Sequence, residues 1–181
     1  MMEIQNNVSI RLLKDNPTDY QYLYSWCQNK EVYTYFEQRI LSYEEIVSKY
    51  RPRTKITSIT PVYIIEYQNK PVGIIQYTKL NKETKEKYCV KKDGYELDIF
   101  IGESKYHYLG IGSSAIKLLI KKLKQDNNIF IMIPETRNLP AIKCYQKVGF
   151  TIQKTYHEYD TLGQNIQKKA IMILDNQTNY K

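Results

Sequence analysis

Histidine occurs only twice in this chain of 181 residues and cysteine only three times, at Cys27, Cys89 and Cys144, with no pair at CxxC spacing. So few ligands exclude a histidine-rich metal centre and a disulfide framework, and reduced thiols fit an intracellular compartment. No stretch approaches the roughly 18 consecutive apolar residues of a membrane-crossing helix. The opening MMEIQNNVSIRLL lacks the basic start and apolar block of a secretory signal. Seven glycines and six prolines leave no linker rich in either, and no internal repeat is visible. The expectation is one domain spanning residues 1–181, soluble and cytoplasmic, monomeric or homodimeric, with no metal and no membrane partner.

Hydrophobic residues make up 42% of the chain and aromatic residues 13%, enough to bury a core without staples. The formal net charge of +8 raises the question of nucleic acid. Basic residues are spread along the chain, however, and the densest patches, KETKEK and IKKLKQ, match no nucleic-acid module. They read as solvated faces, so no nucleic-acid partner is expected, while a positive surface still attracts a small polyanion.

The element order reads βααβββαβαββ, an α/β sheet protein. VSIRLL alternates as a first strand, and DNPTDYQYLYSWCQ spaces Tyr20, Leu23 and Tyr24 for a helix. SYEE at Ser42 is a capping box for a second helix that stops by Arg51, ahead of Pro52. VYIIEY and PVGIIQYT around QNK form a hairpin, and the charged stretch from Lys79 to Asp93 reads as a mobile connection. YELDIFIG is a strand of period two, with Glu96, Asp98 and Phe100 on one face and Leu97, Ile99 and Ile101 on the other. A glycine loop and a helix to Asp126 follow, then the apolar strand IFIMIP. NLPAIKCYQKVGF is a helix capped by Asn138 and closed by Gly149, and two last strands turn at Leu162-Gly163.

The stretch YHYLGIGSSAIKLL places Gly110 and Gly112 where a loop becomes a helix. Unpaired amides at a helix start hold anions, and glycines there permit positive φ and close backbone approach, which a pyrophosphate cradle requires. No Lys-Ser or Lys-Thr follows, so this is no Walker loop, and no GxGxxG fingerprint with an acidic ribose partner is complete. The loop His107-Tyr108-Leu109-Gly110-Ile111-Gly112 is similar to the acetyl-CoA loop of the GNAT N-acetyltransferases, with His107 where that family has Gln or Arg. NLPAIKCYQKVGF is similar to the family's later motif, in which an Asn caps a helix near the pantetheine arm and a Tyr faces the thioester sulfur.

The resemblance implies a GNAT-like mixed, mostly antiparallel sheet, splayed at an acetyl-CoA site. It implies cofactor contacts from Ile99, Phe100 and Ile101 on the strand, from His107 through Ser113 on the loop, and from Asn138, Ala141 and Tyr145 on the later helix. Tyr145 would donate to the departing sulfur. With ordinary values near 10 for a phenol and near 8.5 for a thiol, full proton transfer is uphill by only about 2 kcal/mol. Within the superfamily, YELDIFIG, PVGIIQY, AIKCYQKVGF and the Trp-bearing first helix most resemble the aminoglycoside 6'-N-acetyltransferases. That likeness implies Asp98 as the carboxylate that deprotonates the amine of a polycationic aminosugar, with Tyr35, Gln76, Glu96 and Glu135 around the substrate. Two acidic positions of that subfamily are here Ile133 and the Lys168-Lys169 pair, so Glu37, Glu96 and Glu135 would have to compensate. The same chemistry on a polyamine, a peptide terminus or a siderophore precursor is a second reading. A non-catalytic basic domain binding nucleic acid or acyl-CoA is a third.

Overall fold

Two successive residues at positive φ, Gln68 at 50° and Asn69 at 61°, reverse the chain between β2 (Val62–Tyr67) and β3 (Lys70–Lys79). Such a turn matches the right-handed twist of paired strands and sets the register of the hairpin. The computed structural model describes residues 7–123, 128–160 and 165–175. Around this hairpin it assembles a seven-stranded sheet in the order β1-β2-β3-β4-β5-β7-β6. The remaining strands are β1 (Val8–Leu12), β4 (Gly94–Ile101), β5 (Ile129–Met132), β6 (Thr151–Asp160) and β7 (Asn165–Asp175). Among the described residues only β4 and β5 pair in parallel. The predicted turn at Leu162-Gly163 and the predicted helix end at Asp126 lie outside the described residues.

Every α-helix but the one at Ile111 starts where a polar side chain satisfies its first amides. Asn16 caps α1 (Pro17–Cys27), Asn29 caps the short α2 (Lys30–Tyr33), and the Ser42–Glu45 capping box opens α3 (Tyr43–Tyr50). Pro52 then lies in a 3-10 turn over Arg51–Thr54. Two elements depart from expectation. Besides α2, the stretch expected to be a mobile connection contains α4 (Lys82–Tyr88), capped by Asn81 and ended by Cys89 at φ 56°. Its only apolar anchor is Tyr88, too little periodicity to register against six charged or polar neighbours. After it come α5 (Ile111–Leu123) and α6 (Leu139–Val148), the latter capped by Asn138 and closed by Gly149 at φ 115°.

The sheet is covered on both faces. On one, α5 and α6 pack Ile111, Ile116, Leu119 and Ile142 against Leu97, Phe130 and Met172. On the other, α1 and α3 pack Leu23, Trp26, Ile46 and Tyr50 against Ile64, Ile74 and Phe100. A third cluster seats Tyr88 against Ile129, Ile131 and Ile171. Alternation along β4 thus sends Leu97 to the first layer and Phe100 to the second, as period two demands. Among the described residues no helix is long and apolar enough to cross a membrane.

Candidate active site

The sheet splits where β4 meets β5. The strands pair at Gly94–Ile129, Tyr95–Phe130 and Glu96–Ile131, and no further. Beyond Glu96 they part around a cleft of about 780 Å³, walled by Leu97 to Ile101 on one side and Ile133 to Glu135 on the other. Gly102 N–H donates to Val72 O on β3 at 2.7 Å. Peptide groups alternate along a strand, so those of Leu97, Ile99 and Ile101 point the other way, toward the split. Of the three strand residues expected at the cofactor, Ile99 and Ile101 turn their peptides to the cleft. The peptide of Phe100 points to β3, and its ring packs edge-on to Phe36 at 4.8 Å.

The glycine loop closes the end of this cleft. Gly110 has φ 84°, and Tyr108, 88% exposed, has φ 62°, so the loop curls twice through the left-handed region. Ser113 Oγ donates to Gly110 O at 2.8 Å, and the first helical bond of α5 runs from Ser114 N to Gly110 O at 3.1 Å. The amides of Ile111, Gly112 and Ser113 therefore open the helix with no partner inside it. Gly112 takes no positive φ, contrary to expectation. Its missing side chain serves packing, since a Cβ there would stand 3.4 Å from Cys144 Sγ and 3.9 Å from Ile99 Cδ1. His107 faces away from the amides, with Nε2 2.9 Å from Ile101 O and Nδ1 3.3 Å from Glu31. The cation near the loop is Lys147, missed in the sequence, whose Nζ is 3.9 Å from the position of a Cβ on residue 110. A backbone nest, a helix start and a lysine together fit a diphosphate.

On α6, Asn138 Oδ1 accepts from Ala141 N at 3.3 Å, which aims the helix along the cleft. Asn138, Ala141 and the buried Tyr145 line it too, whereas Leu109, 41% exposed, does not. Burial, with Cys144 and Asp98 adding to it, pushes the Tyr145 phenol well above its usual range. Full proton transfer from it is therefore steeper than the aqueous difference, and its role narrows to donating a hydrogen bond. Burial likewise pushes the Cys144 thiol up to about 11, keeping it protonated.

Asp98 points to the opposite face, between β3 and the cleft. Gln76 stands across from it in register and donates from Nε2 to Asp98 Oδ2 at 3.0 Å. Arg53 Nη1 in turn donates to Gln76 Oε1 at 3.1 Å, which orients the amide. Burial pushes the Asp98 carboxyl up, against the pull of Gln76, Arg53, Lys49 and Lys169. Glu135 lies on the far wall, 7% exposed, with Oε2 on Arg137 Nε at 2.5 Å and Oε1 buried without a partner. Arg137 lies over the Tyr35 ring at 5.6 Å. Gln76 and Glu96 are behind the wall and do not line the cleft. Glu37 is also committed, to Lys49 at 2.5 Å and to Tyr50 Oη at 2.8 Å.

A family model described as an acetyltransferase (GNAT) domain matches residues 15–157. Among solved structures, an aminoglycoside acetyltransferase AAC(6')-Ib in complex with coenzyme A is 20% identical, with 94% of this chain and 95% of that chain covered and a TM-score of 0.76. RimL, a ribosomal L7/L12 α-N-protein acetyltransferase in complex with coenzyme A, is 12% identical over 95% of this chain and 96% of that one, with a TM-score of 0.77. A GNAT-family acetyltransferase from Bacillus anthracis is 15% identical over 94% and 96%, with a TM-score of 0.75. At these identities the structural likeness speaks for the fold.

Proposed function

Because the chain belongs to the GNAT acetyltransferase family, we propose that its one domain, residues 1–181, transfers an acetyl group directly from acetyl-CoA to the 6'-amine of an aminoglycoside. The carrying observation is Asp98, a buried carboxylate oriented by Gln76 at the mouth of a strand split, opposite Tyr145 in the same cleft. Acetyl-CoA supplies the activated acyl thioester. The amides of Ile111, Gly112 and Ser113, with Lys147, hold its diphosphate, and the peptides of Ile99 and Ile101 line its arm.

The amine enters as an ammonium and gives one proton to Asp98. As its nitrogen bonds the acyl carbon and the carbon–sulfur bond breaks, its second proton ends on the sulfur. Tyr145 donates a hydrogen bond to the charge that builds there. A neutral phenol is what this needs, and burial of Tyr145 keeps it neutral. On the acceptor side Tyr35 offers a ring face, and Glu135, paired with Arg137, stands on the far wall.

A specific observation favours a second amine class. Glu37 and Glu135 already pair with Lys49 and Arg137, and Lys169 also lines the cleft, so fewer free negative charges face a polycation than such a substrate prefers. A peptide amine, which carries less positive charge, suits that balance better. Thiol release from acetyl-CoA with kanamycin or tobramycin, set against spermidine and short peptides, decides between them. Turnover with kanamycin that Asp98→Asn abolishes supports the first reading. Turnover confined to peptides or spermidine overturns it.

A further inference from the structure

Glu96 is the last residue at which β4 and β5 remain paired, opposite Ile131. Asp98, the next residue on the same face, is the first past the split. Two carboxyls therefore follow one another along a single strand face, one at the vertex and one in the opening. The transfer as proposed uses Asp98 and leaves Glu96 unemployed, although a carboxyl at a half-buried site is costly to keep.

The chain supplies a dedicated support for it. Tyr88, 7% exposed at the end of α4, donates from Oη to Glu96 Oε2 at 3.0 Å. The helix that delivers Tyr88 is tied to β6 twice, through Lys87 Nζ to Glu158 Oε1 at 2.7 Å and through Lys154 Nζ to Cys89 Sγ at 3.1 Å. Asn81 caps its start, accepting from Thr84 N at 2.8 Å.

We infer that Glu96 is a positioning residue of the transfer site, the inner half of a carboxyl pair with Asp98, and that the charge on Glu96 sets how strongly Asp98 accepts the proton of the amine. This rests on Asp98 being the base.

The charges around the pair decide the order of ionisation. Arg53 behind Gln76, Lys49 on α3 and Lys169 on β7 favour the anion of Asp98, while Tyr145 on α6 closes its other side. Around Glu96 stand Tyr88 and Lys87 on α4, Lys169 on β7, and Tyr156, which shares its neighbourhood with Glu158 on β6. Asp98 ionises first. Burial and then the charge of Asp98 hold the Glu96 proton up to about 7. Coupling is reciprocal, so the charge that appears on Glu96 near neutrality strengthens Asp98 as a base by the same amount.

The test is kcat/KM for the amine found active, measured from about pH 5.5 to about pH 9 in the wild type and in Glu96→Gln, Glu96→Asp and Tyr88→Phe. The wild type is expected to gain rate through a titration near neutrality. Glu96→Gln should lose that titration and fall about tenfold above it, with KM for acetyl-CoA unchanged. Glu96→Asp should restore it, and Tyr88→Phe should move its midpoint upward, because the lost hydrogen bond favoured the anion. An unchanged midpoint in Glu96→Gln overturns the inference.

Carboxyl carbon NMR of the protein without substrate gives a second readout. Two coupled ionisations in the wild type and a single one in Glu96→Gln support the pair, and independent ionisations overturn it. A coupled pair in a protein whose Asp98→Asn variant retains full turnover would instead overturn Asp98 as the base.

Discussion

Gln76 and Asp98 face each other across β3 and β4, and the Gln76 amide donates to the carboxylate at 3.0 Å while Arg53 holds its other end. A side chain with a single donor on the acid and a single acceptor on the arginine has one orientation. The site is thereby aligned before any ligand enters it.

Asp98→Asn should leave acetyl-CoA affinity intact and lower turnover by about 10²-fold or more, the usual contribution of a general base. Its stability should not fall, because the substitution removes a buried charge whose desolvation is unfavourable. Calorimetric titration with acetyl-CoA and thermal unfolding check both halves. Loss of cofactor binding would move Asp98 from acid–base work to architecture.

Gly110 and Gly112 should respond differently to alanine. At residue 110 there is room, with the nearest atom at 3.8 Å, but φ is 84°. Gly110→Ala should therefore cost about 1 kcal/mol of stability and weaken acetyl-CoA binding as the loop uncurls. Gly112→Ala keeps an ordinary φ and needs only a small shift of Cys144 Sγ, so a smaller loss in both measurements is expected.

Stability should decline as pH rises from about 4.5 to about 7. The folded chain keeps a proton on Glu96 in that window and the unfolded chain does not, so the folded state binds more protons and the slope of unfolding free energy with pH is negative. Burial of Glu96 makes this contribution on the order of 3 kcal/mol. Urea unfolding at either end of the window should show it, and Glu96→Gln should flatten the dependence.

Gly102→Ala should be destabilising by roughly 1–3 kcal/mol, because a Cβ there would meet the Trp26 ring at 2.1 Å. Trp26 is the only tryptophan in the chain, so its emission reports the displacement directly.

Much of the scaffold was legible in local chemistry. The capping box at Ser42, the Asn138 cap, the QNK turn and the Gly149 stop each act within a few residues, and all are present. The short α4 was not legible, because its single buried residue, Tyr88, acquires meaning only when Glu96 is beside it. Lys147 was hidden for the same reason. Nothing in its helix says that its ammonium reaches the loop around Gly110.

The amino-acid sequence alone determined the strands, the helix caps and the two motifs around Gly110 and Asn138, since propensity, capping and glycine placement act between near neighbours. Only the tertiary structure decided where β4 and β5 part, which carboxylates are spent on Lys49 and Arg137, and that His107 turns to Ile101 and Glu31. Those outcomes depend on side chains that meet across the sheet, and desolvation there, which chain order does not record, sets the acidity of Glu96, Asp98 and Tyr145.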